Sequence, residues 1–193
     1  MDSLTKQVRE RKEAVLRELP PKRRSKVVLR LGPGVLNAVK REVRSAILDL
    51  IRRERECELV DKKLVKEVIE IFVEMRGNRN NLEVYVTDFE EMLLSTTADY
   101  YGRESAKWVE KDSFPEYMRK AEDRLKQEQE RVGHYLHSST EEKLLKVCDE
   151  QLLQMPEQVL LEKDNSGCEV LLRDNKVEDL SRCLLYTSDA ADE

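Results

Sequence analysis

The stretch "EYMRKAEDRLKQEQERVGHYLHSSTEEKL", residues 116–144, decides the fold class, because it has the pattern of a long and mostly charged helix. Its apolar residues recur near the helical period of 3.6, which places them on one face. Glu128 and Gln129 interrupt this apolar stripe between Leu125 and Val132. The stripe consists of Tyr117, Met118, Ala121, Leu125, Val132, Tyr135 and Leu136. The opposite face carries charged pairs four residues apart, such as Arg124 with Glu128, each worth only about 0.2–0.5 kcal/mol.

A helix with this pattern contacts neighbouring helices on one side and water on the other. We therefore expect Leu125 and Val132 to be buried, and Glu122, Lys126 and Glu130 to be exposed. Packing of the stripe must supply most of the stability, because the charged pairs contribute so little. The pattern favours an elongated helical scaffold over a compact enzyme.

The composition supports an all-α fold, since 39% of the residues are charged and only 5% are aromatic. The net charge is −5, yet residues 1–31 contain ten Lys and Arg against four Asp and Glu, a net of +6. The four cysteines form no CxxC pair and the start lacks an apolar signal segment, which indicates reduced thiols. No run approaches the roughly 20 apolar residues of a membrane span. The sequence thus predicts a soluble intracellular protein.

Further helices are predicted on both sides of the charged one. Residues 2–19 have the pattern of a basic amphipathic helix that ends at Pro20. After a break at residues 32–34, periodic apolar residues continue from Val35 to about residue 56. The "GNRNN" run, residues 77–81, ends the helix after that.

Capping signals mark where the helices begin. The candidates are Asp61, Thr87 with Glu90, Ser113 with Glu116, and Ser139 with Glu142. Met155 and Pro156 should kink or divide the helix that follows Ser139, because proline cannot donate a helical hydrogen bond. Two short helical pieces are expected near residues 170–173 and 177–182.

The last eleven residues, "CLLYTSDAADE", break this pattern. They match the translation of a transposase-type sequencing-library adapter, so we expect residues 183–193 to be a non-native tail. On this interpretation the gene continued past Arg182 and the chain is a fragment. The tail is left out of the fold prediction.

Three stretches closely resemble the N-terminal region of cullins, the scaffolds of multisubunit RING ubiquitin ligases. They are "DFEEMLLSTTADYYGRESAKWV", "EYMRKAEDRLKQEQERVGHYLHSSTEEKL" and "LLRDNKVEDLSR". The segment "LIRRERECELVDKKLVKEVIEIFVE" fits the same region. Tyr100-Tyr101, Glu104-Ser105 and the "YLHSST" run look most like the branch that carries F-box adaptors. Residues 1–33 remain an unmatched basic segment.

The resemblance implies an all-α stalk of antiparallel helices in cullin repeats, similar to an α-solenoid. Residues 34–182 would form the end of the first repeat and most of the second. The implied function is a non-catalytic scaffold in ubiquitin-dependent protein degradation, located in the cytoplasm and nucleus. The implied partners are a Skp-type adaptor with its F-box protein and a RING protein. Family contacts to the adaptor lie before the matched segment and those to the RING protein after it, so this fragment alone should bind neither.

Local chemistry does not favour an enzyme. His134 and His137 are spaced as metal ligands can be, but no acidic or cysteine partner is evident. Cys57, Cys148 and Cys168 are interpreted as small buried hydrophobic residues. The sequence contains no phosphate-binding loop, dinucleotide fingerprint or nucleophile elbow. We assign no catalytic, cofactor-binding or metal-binding residue and expect no cofactor.

Two alternatives to the scaffold stay open. The basic "KRRSK" run, residues 22–26, could bind phosphate, although no interleaved aromatic residues support nucleic-acid binding. The chain could also be a free-standing helical interaction module of spectrin or coiled-coil kind, but sustained heptads are missing. Tyr100, Tyr101 and Trp108 lie on the apolar face of their helix and are expected to be core residues. No nucleic-acid or membrane partner is predicted.

Overall fold

A computed structural model describes Lys6, Glu10 and residues 33–74, 82–164 and 166–181. Every regular element among these residues is a helix, which confirms the all-α prediction. The α-helices are α1 Pro33–Arg55, α2 Lys62–Glu74, α3 Glu83–Tyr85, α4 Glu91–Lys111, α5 Phe114–Tyr135, α6 Glu141–Asp149, α7 Glu157–Leu161 and α8 Cys168–Arg173. Residues 177–181 form a further helical turn.

Several predictions from the sequence fall outside the described residues. These are the helix of residues 2–19 apart from Lys6 and Glu10, the "GNRNN" run, the basic "KRRSK" run and the tail of residues 183–193. Lys6 and Glu10 are helical and lie 3.8 Å apart as an i,i+4 ion pair. None of the described helices is long and apolar enough to cross a membrane.

The described residues divide into two compact units. Unit 1 contains the residues up to Leu93 together with Gly133–His137, and unit 2 contains Leu94–Val132 and the residues from Ser138 onward. Unit 1 is built around one apolar cluster in which α1 and α2 supply most members. Its buried residues are Ile47, Leu50, Ile51, Leu64, Val65, Val68, Ile69, Phe72, Tyr85, Phe89, Leu93 and Tyr135.

The turn between α1 and α2 shows why the predicted burial of Cys57 is wrong. Cys57 is exposed, not buried, and has a positive φ of 65°. Its N–H donates to the carbonyl of Glu54 and the N–H of Glu58 to that of Arg53, which is the Schellman arrangement that ends many helices. Cys57 therefore occupies the position that usually takes glycine, and its side chain points into solvent. The Asp61 cap is confirmed, because its carboxylate accepts the N–H of Leu64 at 3.0 Å.

Two π-helical turns replace features that the sequence predicted as ordinary helix. The turn Val86–Glu90 continues α3 into α4, so Thr87 does not cap a helix. Its hydroxyl instead donates back to the carbonyl of Glu83 at 2.9 Å. Lys40 donates to the Asp88 carboxylate at 2.7 Å, and Arg44 to the Asp88 carbonyl at 3.1 Å, which ties this turn to α1.

The second π-helical turn, Glu150–Gln154, follows α6 and ends just before Pro156. The predicted division at Met155-Pro156 is therefore confirmed. Ser139 does not stand directly before α6 as predicted: residues Ser138–Thr140 form a 3-10 turn, and Thr140 precedes α6 without a capping side-chain hydrogen bond.

In unit 2, α4 and α5 form an antiparallel hairpin. Tyr101 bonds to Glu128 across the pair, and Asp112, just after α4, bonds to Lys120 at 2.6 Å. The bond far from the connection joins Tyr101 to Glu128 and the bond close to it joins Asp112 to Lys120, as antiparallel helices require. The connection is only residues 112–113, and the Ser113 prediction is confirmed there, because the Ser113 N–H and hydroxyl both donate to Glu116, at 3.1 and 2.8 Å.

Candidate functional site

The α4–α5 hairpin contains a buried polar network where the sequence predicts an interruption of the apolar stripe. The Tyr101 hydroxyl donates to Glu128 Oε1 at 2.5 Å. Arg131, one turn further along α5, donates to the same oxygen at 2.5 Å. The exposed fraction is 0% for Glu128 and Tyr101 and 5% for Arg131. A carboxylate, a guanidinium and a phenol are therefore desolvated together.

Other small polar residues continue this buried surface along α4. Thr97, Tyr101 and Ser105 are spaced four apart, so they share one face of the helix, and all three are buried. No buried side-chain nitrogen or oxygen among the described residues lacks a hydrogen-bond partner. A network that is fully satisfied in this way can fix one arrangement of its helices, whereas an unpaired member would cost free energy.

Glu128 is thus placed differently from the sequence expectation. It does not belong to the solvated face with Arg124, because it lies on the stripe and faces Tyr101. The signal was present in the register: positions 121, 125, 128 and 132 share one helical face. What sequence alone does not supply is the partner, since Tyr101 is 27 residues away.

The other expectations for α5 are partly met. Val132 is buried, and Lys126 and Glu130 are exposed, as predicted. Leu125 and Glu122 are both only half-buried, so those two predictions are wrong. Glu128 and Arg131 are more deeply buried than Leu125, although both are charged.

A second hydroxyl fastens α5 to the π-helical turn that precedes Pro156. In a regular helix the N–H of residue 156 would bond to the carbonyl of Leu152, but proline has no N–H. The Tyr117 hydroxyl donates to that carbonyl at 2.7 Å. Tyr117 is fully buried, and burial raises the pKa of its phenol, a shift that a hydrogen bond with Ser105 partly offsets. The phenol therefore remains a donor well into the alkaline range.

Tyrosine hydroxyls also connect distant segments within unit 1. The Tyr135 hydroxyl donates to Glu54 at 2.5 Å, and Lys62 bonds to the same carboxylate at 3.1 Å. The Tyr85 hydroxyl accepts the N–H of His137 at 3.3 Å. The two tyrosine bonds join residues that are 81 and 52 positions apart in the sequence.

The residues that sequence analysis examined for metal or thiol chemistry are not brought together. α5 ends at Tyr135, so His134 and His137 do not share a helical face; His134 is exposed and His137 half-buried. Cys148 is buried as predicted, and Cys168 is half-buried, which raises the pKa of its thiol. The described part of the chain contains no group of three or more His, Cys, Asp or Glu that could hold a metal ion.

Of the three aromatic residues predicted in the core, two are confirmed. Tyr100 and Tyr101 are buried and meet edge to face at 5.1 Å, whereas Trp108 is half-buried. The Trp108 ring lies edge-on to Tyr117 at 6.0 Å, and the Lys120 ammonium lies 5.8 Å from its centre. Trp108 is the only tryptophan in the chain, so its fluorescence reports on the hairpin.

Residues 22–189 match the family described as the cullin alpha solenoid domain. Among curated proteins, the chain is 45% identical over 149 residues to putative cullin-like protein 1 of Arabidopsis thaliana and 50% identical over 148 residues to Cullin-1 of Oryza sativa subsp. japonica. It is 35% identical over 138 residues to Cullin-3A of Arabidopsis thaliana. These alignments cover 77%, 77% and 72% of the chain.

The chain spans about a fifth of the length of these relatives, with coverages of 20%, 20% and 18%. The family match begins at residue 22, within the segment that sequence analysis left unmatched. It ends at residue 189 and so overlaps the beginning of the expected adapter-like tail.

The buried network predicts a large difference between two glutamates of α5. Replacing Glu128 with alanine removes the carboxylate to which Tyr101 and Arg131 both donate and breaks a buried ion pair, so the free energy of unfolding should fall by about 3–5 kcal/mol. Glu130→Ala, on the exposed side of the same helix, should change it by no more than about 0.5 kcal/mol. Urea denaturation followed by circular dichroism measures both. Equal effects of the two substitutions would contradict the network's role.

The link between Tyr117 and Pro156 predicts a coupling between two substitutions. Tyr117→Phe removes the donor to the Leu152 carbonyl and should lower the free energy of unfolding by about 1–3 kcal/mol. Pro156→Ala restores a backbone N–H that can bond to that carbonyl, so Tyr117→Phe should cost less in the Pro156→Ala background. A double-mutant cycle by chemical denaturation measures the coupling. Strictly additive effects would show that the hydroxyl does not replace the missing donor.

Proposed function

Because the chain belongs to the cullin family, we propose that it is a non-catalytic scaffold segment of a cullin-RING ubiquitin ligase. The segment would hold a substrate adaptor apart from the RING protein and its ubiquitin-charged conjugating enzyme. The observation that carries this proposal is the alpha solenoid match over residues 22–189. The buried hydrogen bonds of the α4–α5 hairpin support it by giving the segment a physical means to keep its shape.

A scaffold of this kind contributes to catalysis through geometry. Two reactants tethered to a rigid spacer meet at a high effective concentration when the spacer matches their separation. A flexible spacer loses this advantage, because its ends sample many distances. Buried bonds such as Tyr101–Glu128 and Tyr117–Leu152 resist bending of the hairpin in a way that surface ion pairs do not.

We further propose that the chain belongs to the branch with F-box adaptors, as part of an SCF-type ligase in the cytoplasm and nucleus. The "YLHSST" run and Tyr100-Tyr101 support this choice, because they look most like that branch of the family. The partners would be a Skp-type adaptor with its F-box protein and a RING protein. Both would bind the longer family protein outside residues 34–182. The adapter-like origin of residues 183–193 remains part of this proposal.

A chimeric ligase tests the scaffold function. Residues 34–182 would replace the corresponding segment of rice Cullin-1 in a reconstituted ligase with its adaptor, RING protein and conjugating enzyme. We expect substrate ubiquitination within a few-fold of the parent, because the segment needs only to preserve the spacing. A matched chimera with Gly-Ser residues in place of the α4–α5 hairpin should lose on the order of tenfold or more.

The outcome that would contradict the scaffold function is a folded chimera that binds both partners yet fails to transfer ubiquitin. Equal activity of the Gly-Ser chimera would contradict the rigid-spacer explanation. A pulldown with residues 34–182 alone serves as a control. It should capture neither the F-box adaptor pair nor the RING protein, and specific submicromolar binding of either would refute their placement outside this segment.

A further inference from the structure

The short connection between α4 and α5 is held by residues that follow α7. Lys163 Nζ donates to the carbonyl of Val109 at 2.5 Å and to the carbonyl of Asp112. Val109 lies in the last turn of α4, where carbonyls lack donors from the helix itself. The Lys163 ammonium also lies at the negative end of the dipole of a 21-residue helix. Lys163 thus caps the C-terminus of α4 from 51–54 residues away.

The same segment caps the beginning of α5. Ser166 Oγ accepts the N–H of Phe114 at 3.0 Å. Phe114 is the first residue of α5, so its N–H is one of the donors that a helix leaves unsatisfied. Beside it, the Glu116 carboxylate accepts both the N–H and the hydroxyl of Ser113. One short segment therefore binds the end of one helix and the start of the next.

Gly167 shows why this segment can turn back so closely on itself. It is buried, and a Cβ atom there would come within 2.4 Å of the Leu161 carbonyl oxygen and 2.8 Å of the Lys163 nitrogen. These neighbours are backbone atoms, which cannot move aside cheaply. The Gly167 N–H donates to the Lys163 carbonyl at 2.7 Å, so the segment folds back on itself. Only glycine leaves room for that turn.

We propose that Lys163, Ser166 and Gly167 form a strap that fixes the α4–α5 connection, and that the strap is released as a unit when Lys163 loses its positive charge. The two acceptors of Lys163 are neutral backbone carbonyls, so the bonds gain their strength from the charge on the ammonium. Transfer of an acyl group from a thioester to the deprotonated amine forms an amide and releases the thiol, which removes this charge and leaves one N–H in place of three. Lys163 is half-buried, so part of its side chain is accessible to such a modification.

The side-chain carboxylate of Asp112, whose backbone carbonyl binds Lys163, does not replace this interaction. The Asp112 side chain bonds to Lys120 at 2.6 Å, so it already has a cationic partner. The charge at position 163 therefore acts through the hydrogen bonds to the two backbone carbonyls. Lys163→Arg preserves the charge, whereas Lys163→Met keeps a similar length and removes both charge and donors.

Amide hydrogen exchange of Phe114 tests the proposal, because Ser166 binds that N–H and Lys163 does not. In the full chain carrying acetyl-lysine at position 163, exchange at Phe114 should accelerate by about tenfold or more, as expected when a charge-assisted contact is lost. Lys163→Met should have the same effect and Ser166→Ala serves as the positive control. Lys163→Arg and acetyl-lysine at the exposed position 126 should leave the exchange of Phe114 unchanged.

Amides around Tyr101 and Glu128 provide the second readout. Their exchange should stay unchanged in all these variants, because the strap acts on the connection and not on the buried network. Unchanged exchange at Phe114 with acetyl-lysine at position 163 would overturn the proposal. Loss of protection at Tyr101 and Glu128 together with Phe114 would overturn it as well, since release would then be global unfolding.

Discussion

The hydrogen bond between the Tyr101 hydroxyl and Glu128 is the constraint on which the α4–α5 hairpin depends. A carboxylate removed from water is tolerated only where partners satisfy it, and here Tyr101 and Arg131 do so on one oxygen. Arg131 lies on the same helix as Glu128, so a shift of α4 along α5 would take the Tyr101 hydroxyl away from this buried carboxylate while the ion pair stayed. The network therefore narrows the possible packings of two helices whose apolar contact is thin. A defined alignment of the two helices suits a segment whose proposed role is to hold two partners at a fixed distance.

Hydrogen bonds from tyrosine hydroxyls to residues distant in sequence occur within each of the two units. Tyr117 reaches the Leu152 carbonyl in unit 2, and Tyr135 reaches Glu54 in unit 1. A tyrosine contributes apolar area and one directional bond at its tip, so it both fills a helix interface and fixes its alignment. In a chain with 39% charged and 5% aromatic residues, a few such side chains determine much of the packing.

The features that sequence predicted well are local ones. Helix content follows from periodicity, and the caps at Asp61 and Ser113 depend on residues within three positions. The predictions that failed depend on contacts across the chain or on unusual backbone. The predicted Thr87 cap is wrong because sequence does not show a π-helical turn. The predicted burial of Cys57 is wrong because a left-handed helix end usually carries glycine, and sequence gives no sign of cysteine there. The burial of Glu128 depends on its bond to Tyr101, a partner that sequence alone does not show. The strap at Lys163 likewise joins residues more than fifty positions apart.

A double-mutant cycle of Tyr101→Phe and Glu128→Gln tests most directly whether the buried network acts as one unit. The free energy of unfolding of the parent, both single variants and the double variant can be obtained from urea denaturation, with Trp108 fluorescence as the probe of the hairpin. Residues in one hydrogen-bond network show coupling energies of about 0.5–3 kcal/mol, and for this desolvated, charge-assisted bond we expect more than about 1 kcal/mol. Additivity within about 0.3 kcal/mol would contradict the claim that this bond aligns the hairpin.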